Sequence, residues 1–303
     1  FEITSLREDL NTDGRHAEVR FSTDWKQDAL RRDFTINSIY SDIFGNLFDP
    51  FNGKEDLKKG IVKFIGEPEA RIKEDYLRIL RYLRFYLSYS THKHDLKTMR
   101  IIKQNIAGIS ILSKERLIDE LKKYVKSNLL QKLSKDKFSL EIFKIIFSKI
   151  LNIKFFSTPN KFAQQKIYEA DFIFLLSILL INKEDNLDYF IYKFNISNKD
   201  QKRLKNIDNF YKEKITPTSF SEKNLNKIFY YKGQKTVIDI LSYRLFTLKK
   251  VDQKLLNLID QYKNKILPIM PINAKFLIEK FDMTKGKNLG DKLKIIEQEW
   301  VNN

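Results

Sequence analysis

The stretch Glu74-Asp75-Tyr76-Leu77-Arg78-Ile79-Leu80-Arg81-Tyr82-Leu83-Arg84-Phe85 combines a line of charged side chains with a line of leucines. Three residues on an α-helix turn through roughly 300°, so side chains at this spacing form a slowly drifting ridge. The polar ridge consists of Asp75, Arg78, Arg81 and Arg84, and the parallel apolar ridge of Leu77, Leu80, Leu83 and Leu87. The pattern predicts one amphipathic helix through this stretch, with its leucines against a core.

An aspartate beside an arginine on a rigid helix can distinguish nucleobases. A carboxylate only accepts hydrogen bonds and a guanidinium only donates them. Cytosine and adenine present an amino donor beside an unprotonated ring nitrogen, whereas uracil and guanine present the reverse pattern. Asp75 and Arg78 could therefore accept C and A and reject U and G. From this helix alone, the alternative is a surface ladder of ion pairs.

Length and composition exclude several classes of protein. A chain of 303 residues can bury a sizeable core, and the absence of cysteine excludes disulfides and thiolate metal sites. The apolar run Phe172 to Ile181 is too short for a bilayer and predicts a buried helix, so we expect no membrane partner. A metal-dependent phosphohydrolase needs more ligands than His16, His92 and His94-Asp95 supply.

The charge is unevenly placed along the chain. Residues 1–66 contain 10 Lys and Arg against 12 Asp and Glu, a net charge of −2, whereas the remaining 237 residues have a net charge of +19. A basic remainder favours a polyanionic partner, although a lysine-rich composition is also typical of AT-rich genomes.

The first 66 residues read as mixed α/β and the rest as helical. Apolar residues alternate through Ala17, Val19 and Phe21, Phe44-Gly45-Asn46 predicts a hairpin turn, and Ile61 to Ile65 predicts a short strand. Glycine and proline are scarce after Gly108, which favours packed amphipathic helices.

Four motifs occur in a specific order along the chain. Arg31-Arg32-Asp33-Phe34-Thr35-Ile36-Asn37-Ser38 is followed by Asp49-Pro50-Phe51-Asn52-Gly53 with Asp56, then by the Glu74 helix, and then by Arg116, Glu120 and Lys123. In this order they resemble the class II tRNA nucleotidyltransferase family, the CCA-adding enzymes and bacterial poly(A) polymerases. The resemblance implies an α+β fold: the remainder of a polymerase-β-like head at 1–66, then a helical neck at 67–130, a helical body at 131–216 and a helical, tRNA-binding tail at 217–303.

The resemblance also implies roles for individual residues. Arg32 would contact the triphosphate of the incoming nucleotide, Asp75 and Arg78 would read its base, and Arg81 and Arg84 would support the nucleotide or its phosphates. The supporting residues would be Asn37, Asp33 and Glu74.

Simpler structural roles are expected for several neighbouring residues. Arg31 and Asp33 are expected to be local ion-pair partners. Asp49, Gly53 and Asp56 are expected to shape a turn in which Pro50 sets φ and Gly53 relieves it. Arg116, Glu120 and Lys123 are expected to form an ion-pair row within one helix.

The metal-binding half of such an enzyme is missing from this sequence. The family holds Mg²⁺ with an Asp-x-Asp pair preceded by Gly-Gly, and neither occurs here. The ligands are expected upstream of Phe1, with Glu2 only a weak catalytic candidate, so no metal ligand is assigned in this chain. We expect the chain alone to be inactive in nucleotide addition.

The resemblance implies a fragment of a CCA tRNA nucleotidyltransferase, which adds C, C and A to tRNA 3′ ends from CTP and ATP. The alternatives are a poly(A) polymerase, an enzyme that adds only CC or only A, and a catalytically dead RNA-binding remnant. A bacterial-like cytoplasmic location is expected, with mitochondria left open, and the oligomeric state is left undecided.

Overall fold

A computed structural model describes residues 6–12, 17–21, 23–127, 129–182 and 184–302, with the backbone alone for 7–12 and 17–20. Glu2 and His16 lie outside the described residues. The chain divides into two compact units, Phe1–Ser157 with Lys193–Asn195, and Thr158–Tyr192 with Ile196–Asn303. The predicted domain borders at 66, 130 and 216 stay predictions.

The strands of the described residues form two small antiparallel sheets in the first unit. β1 (Arg7–Thr12) pairs with β2 (Ala17–Phe21), and β3 (Tyr40–Ser41) pairs with β4 (Leu47–Phe48). Gly45 has a φ of 87° in the turn between β3 and β4. The strand through Ala17 to Phe21 and the hairpin turn are therefore confirmed.

The predicted strand from Ile61 to Ile65 is wrong. Only an isolated antiparallel bridge between Phe34 and Phe64 forms there. Gly60 and Gly66, on either side, have left-handed φ values of 67° and 79°, so the chain turns before a ladder can extend. Phe64 and Ile65 are buried, whereas Ile61 is exposed.

Helices dominate the rest of the first unit. Short 3₁₀ turns at Thr35–Asn37 and Ile106–Ile111 connect some of them. The helices are α1 Trp25–Leu30, α2 Gly53–Lys59, α3 Pro68–Glu74, α4 Leu77–Tyr89, α5 Leu96–Asn105, α6 Lys114–Lys126, α7 Leu129–Leu133, α8 Lys137–Ile146 and α9 Lys154–Ser157.

Helix α4 is the centre of the first unit. Leu77, Leu80, Leu83 and Leu87 are all buried, which confirms the predicted apolar ridge. On its other side the Phe34 ring packs 4.8 Å from Phe64 and 5.1 Å from Phe85, measured between ring centroids. This aromatic contact joins residues of the predicted head directly to α4.

The described residues of the second unit form helices joined by loops and by a 3₁₀ turn at Pro217–Phe220. Its core includes Leu225, Phe229, Leu241 and Tyr262. The predicted buried helix at Phe172 is confirmed as α11 (Phe172–Leu180). The helices are α10 Lys161–Glu169, α11 Phe172–Leu180, α12 Asn186–Phe194, α13 Asn198–Lys212, α14 Glu222–Lys232, α15 Gln234–Thr247, α16 Gln253–Asn264, α17 Ala274–Phe281 and α18 Lys287–Asn302.

The predicted α+β class is confirmed, since every strand of the described residues precedes Asp49 and helices follow. In the described part of the chain, no helix combines the length and apolar character needed to cross a membrane.

Candidate nucleotide-binding site

Asp75, which the sequence predicts to read the base, lies in a break between two helices. Helix α3 ends at Glu74 and α4 begins at Leu77, and Asp75 between them is extended, with φ −153° and ψ 104°. Its Oδ1 accepts a hydrogen bond from the Leu77 backbone N–H at 3.1 Å. The single helix predicted through this stretch is therefore wrong at Asp75 and Tyr76, because a short polar side chain competes for the backbone donors.

A second helix holds the other oxygen of Asp75. The Arg116 guanidinium on α6 donates from Nη2 to Asp75 Oδ2 at 2.7 Å. The ion-pair row predicted within α6 is thus only partly right. Lys123 does pair with Glu120 at 3.0 Å, but Arg116 reaches across to the α3–α4 break.

Arg78 lies in the first turn of α4, and its side chain points back toward α3. Its Nη1 donates to Glu74 Oε2 at 2.6 Å and to the Arg71 carbonyl oxygen at 2.7 Å. Among the described residues both bonds use Nη1, which leaves Nη2 and Nε as donors for a ligand. Asp75 and Arg78 are joined through the backbone, since the Arg78 N–H donates to the Asp75 carbonyl oxygen at 3.0 Å, and the Asp75 carboxylate has further lone pairs.

Arg81 joins α4 to the Arg31 motif. Its guanidinium binds both carboxylate oxygens of Asp33, and Asn37 Nδ2 donates to Asp33 Oδ1 at 3.2 Å. Burial alone would raise the pKa of Asp33, but the hydrogen bonds and charge of Arg81 and the Asn37 amide hold that pKa below its usual value. The expected local pairing of Asp33 with Arg31 is wrong, since the partner of Asp33 is on α4.

Arg84 joins α4 to α6 in the same manner. It forms an ion pair with Glu120, whose side chain is only 1% exposed. The Arg84 guanidinium also lies 4.6 Å from the Phe85 ring centroid. Both later arginines of the polar ridge therefore hold α4 against its neighbours in this structure.

Arg32 is held by the buried carboxylate of Asp28, a residue that is not among those predicted from the sequence. Asp28, 1% exposed, accepts hydrogen bonds from Arg32 Nη2 at 3.0 Å, Arg31 Nε at 2.7 Å and Tyr40 OH at 2.7 Å. Asp28 lies four residues before Arg32, on α1, so helical spacing could have revealed it.

Arg71 connects the segment that contains Arg31 and Arg32 to the end of α3. Its Nη2 donates to the carbonyl oxygens of Arg31 and Arg32 at 2.9 and 2.6 Å, and its Nη1 donates to Glu74 at 2.6 Å. The segment that carries Arg32 is thereby tied to the Glu74 side chain that also holds Arg78.

The turn before α2 differs in detail from the prediction. Asp49 accepts hydrogen bonds from the Gly53 and Lys54 backbone N–H groups at 2.7 and 2.8 Å. The left-handed residue is Asn52, with a φ of 57°. Gly53 is needed because a Cβ there would overlap the Thr35 carbonyl group, so the glycine permits a close approach to the Arg31 motif.

Metal binding is not explained by the described residues. They contain no group of three or more His, Cys, Asp or Glu side chains that could hold a metal ion. The residues present do not fit Mg²⁺, and the expectation of ligands upstream of Phe1 stays a prediction.

Comparisons with known proteins agree with this architecture. The family model described as the poly A polymerase head domain matches residues 1–63. The human mitochondrial CCA tRNA nucleotidyltransferase 1 is 54% identical over 130 residues, which is 42% of this chain and 30% of the length of the human protein. The CCA-adding enzyme of Staphylococcus saprophyticus is 29% identical over 311 residues, covering 98% of this chain and 75% of that enzyme.

A solved structure extends the likeness of fold to nearly the whole chain. The Bacillus stearothermophilus CCA-adding enzyme, in complex with CTP, superposes with a TM-score of 0.71 at 21% identity, covering 99% of this chain and 73% of that chain. The motifs, the head match and the helical architecture agree with one another. The chain belongs to the class II tRNA nucleotidyltransferase and poly(A) polymerase family.

Proposed function

We propose that this chain belongs to an enzyme that adds C, C and A to tRNA 3′ ends from CTP and ATP. The observation that carries the proposal is the break at Asp75, where the Asp75 carboxylate caps the start of α4 and Arg78 lies in the first turn, its N–H bonded to the Asp75 carbonyl oxygen at 3.0 Å. The matched part of the human relative is under a third of its length, so activity, substrates and partners are inferred.

The spare hydrogen-bonding groups of this pair match C and A. Asp75 can accept from the exocyclic amino group while Arg78 Nη2 or Nε donates to the adjacent ring nitrogen. Uracil and guanine would set a carbonyl against the carboxylate and an N–H against the guanidinium. The protein side chains thus take the place of a template strand in choosing the base.

The triphosphate would lie against Arg32. Its side chain is 37% exposed while Asp28 holds its guanidinium, so it is both accessible and oriented. Arg81 and Arg84 are paired with Asp33 and Glu120, and we assign them to holding α4 in place; direct phosphate contact by either stays a prediction. Asn37 and Glu74 have the supporting roles of orienting Asp33 and Arg78.

Mg²⁺, the tRNA 3′ end and a cytoplasmic location complete the proposal. Mg²⁺, with ligands expected upstream of Phe1, would supply Lewis-acid stabilisation of the charge that develops in this chemistry. The relatives include a mitochondrial and a bacterial protein, and the cytoplasm is the location proposed here. Poly(A) synthesis, CC-only or A-only addition, and a catalytically dead RNA-binding remnant are the alternatives.

Substitution of Asp75 tests the base-reading role. In the natural protein that contains this chain, Asp75→Ala should reduce discrimination against UTP by about 1–3 kcal/mol, the value of one good bidentate contact. Sequencing the 3′ ends of a tRNA ending before CCA, after incubation with each nucleotide, measures both selection and the product. Asp119→Ala is the matched control, because Asp119 is an exposed aspartate of the same unit that forms an ion pair with Lys122.

Each outcome separates the candidates. Products ending in CCA support CCA addition, whereas runs of A indicate poly(A) synthesis and a lone CC or A indicates a split activity. Unchanged rejection of UTP in Asp75→Ala would exclude Asp75 as the base-reading group, and no addition by the natural protein would favour the remnant.

A further inference from the structure

The ring of Tyr76 occupies the space beside Gly108. A Cβ built on Gly108 would overlap Tyr76 Cε1, Cδ1 and Cζ, far inside the distance of about 3.5–4.0 Å at which carbon atoms pack. Gly108 does not have a positive φ. Glycine is therefore required here by the contact with Tyr76 and not by the backbone conformation.

The segment that contacts Tyr76 also holds Asp75. Gly108 lies in the 3₁₀ turn Ile106–Ile111, directly before α6, and Arg116 in the first turn of α6 binds Asp75. Both residues of the α3–α4 break are thus held by one short stretch, 108–116. No side chain on α4 itself makes either of these two contacts.

The break lacks the hydrogen-bond ladder that would define its conformation inside a helix. Its conformation is defined by the bonds from the Leu77 N–H to the Asp75 carboxylate, from the Arg78 N–H to the Asp75 carbonyl oxygen at 3.0 Å and from the Ile79 N–H to the Tyr76 carbonyl oxygen at 3.1 Å. The contact of the Tyr76 ring with Gly108 adds to them. Displacing the ring changes the backbone torsions of Tyr76, and these set where the neighbouring Asp75 carboxylate points.

We propose that Tyr76, seated on Gly108, is a positioning residue that determines nucleobase selection by Asp75. This rests on the proposed function of Asp75 and deepens it. A hydrogen-bonding constellation must be held within about 0.5 Å of its productive geometry. Loss of the contact between the Tyr76 ring and Gly108 should therefore reduce the difference in affinity between bases. The contribution of Arg32 to triphosphate binding should persist.

The experiment measures equilibrium binding of CTP, ATP, UTP and GTP to the full chain by calorimetry. Gly108→Ala should lower the preference for CTP and ATP over UTP and GTP by about tenfold or more, a change within the range of one lost base contact. Tyr76→Ala should lower it similarly, whereas Tyr76→Phe, which keeps the ring, should retain the preference of the unsubstituted chain.

The double variant Tyr76→Ala/Gly108→Ala isolates the contact. Once the ring is gone the added methyl group has nothing to displace, so Gly108→Ala should have no further effect on selection in the Tyr76→Ala background. Gly290→Ala, where a Cβ meets no atom within 4 Å, is the matched control and should leave selection unchanged. Hydrogen exchange at the Leu77 amide reports whether the break itself has changed.

The possible results lead to different conclusions. If Gly108→Ala is folded and keeps its selection within about twofold, or if its effect adds to that of Tyr76→Ala, the positioning role is overturned. If Gly108→Ala does not fold, unchanged selection by a folded Tyr76→Ala overturns it instead. Equal binding of all four nucleotides by the unsubstituted chain would overturn the proposed function itself.

Discussion

At the scale of single residues, the polar side chains of the candidate site act in pairs. Asp28 holds Arg32, Asp33 holds Arg81, Glu74 holds Arg78 and Glu120 holds Arg84. A guanidinium held by a carboxylate keeps one orientation and still has donors to spare, because it carries five N–H groups. The carboxylates are therefore as important to the candidate site as the arginines.

Replacing Asp28 tests this pairing. Asp28→Asn keeps the shape of the side chain but removes the charge that orients Arg32, so CTP and ATP should bind several-fold more weakly, with the ratio between bases unchanged. Cytidine, which has no phosphates, should bind as before, and calorimetry measures both affinities. Stability should fall by about 1–3 kcal/mol, since a buried charged hydrogen-bond network is weakened.

Asp260→Asn is the control for Asp28→Asn, because Asp260 is an exposed aspartate paired with Lys263. Equal weakening of CTP and cytidine binding would contradict an action of Asp28 through the triphosphate.

At the scale of elements, His94 joins α4 to α8. Its ring stacks 3.5 Å from that of Tyr86, its Nδ1 lies 3.1 Å from Tyr82 OH, and its Nε2 lies 3.1 Å from Asp136 Oδ1. Asp136 also caps α8 by accepting from the Ser139 N–H at 2.7 Å. The histidine considered earlier as a metal ligand thus contacts two helices of the first unit.

The His94 contact predicts a pH dependence of stability. Burial lowers the pKa of His94 below its usual value, although Asp136 opposes the shift. The unfolded chain then binds the proton more readily than the folded chain, so the free energy of unfolding should decrease as pH falls from about 7 to about 5. Urea unfolding at several pH values measures it.

His94→Gln should flatten that pH dependence, whereas His92→Gln, at an exposed position, should leave it unchanged. Asp136 does not disturb this window, because its own pKa is lowered by the Ser139 and His94 hydrogen bonds despite burial. A slope that persists in His94→Gln would show that another group is responsible.

At the scale of the whole molecule, the positive charge lies outside the predicted head. Residues 67–303 have a net charge of +19, and many of their lysines are on exposed helix surfaces. Such a distribution attracts a polyanion and makes its binding depend on salt.

Affinity of the full chain for tRNA should fall steeply with salt. A double-logarithmic plot should have a slope of about −3 or steeper, which corresponds to at least about four neutralised phosphates. Filter binding between about 50 and 200 mM salt measures it. Deleting residues 1–66 is a poor control, because Phe34 and Phe64 pack against α4. CTP binding in the same salt series is the control instead. A tRNA affinity that does not change with salt would refute the inference from charge.

The sequence predicted those features that depend on local spacing. The leucine ridge of α4, the hairpin turn at Gly45, the buried helix at Phe172 and the order of the four motifs all follow from residues close together in the chain. It did not predict the break at Asp75 or the loss of the Ile61 strand. In both places a local preference for helix or strand was overruled by capping or by flanking glycines.

The amino-acid sequence by itself determined the family and the α+β class, and it predicts a complementarity of Asp75 and Arg78 to C and A. Only the tertiary structure decided which carboxylates hold Arg81 and Arg84. Asp33 meets Arg81 across 48 residues and Glu120 meets Arg84 across 36, and Tyr76 finds its seat at Gly108. These contacts join residues far apart in the chain, so they depend on how the helices pack and leave no periodic pattern in the sequence.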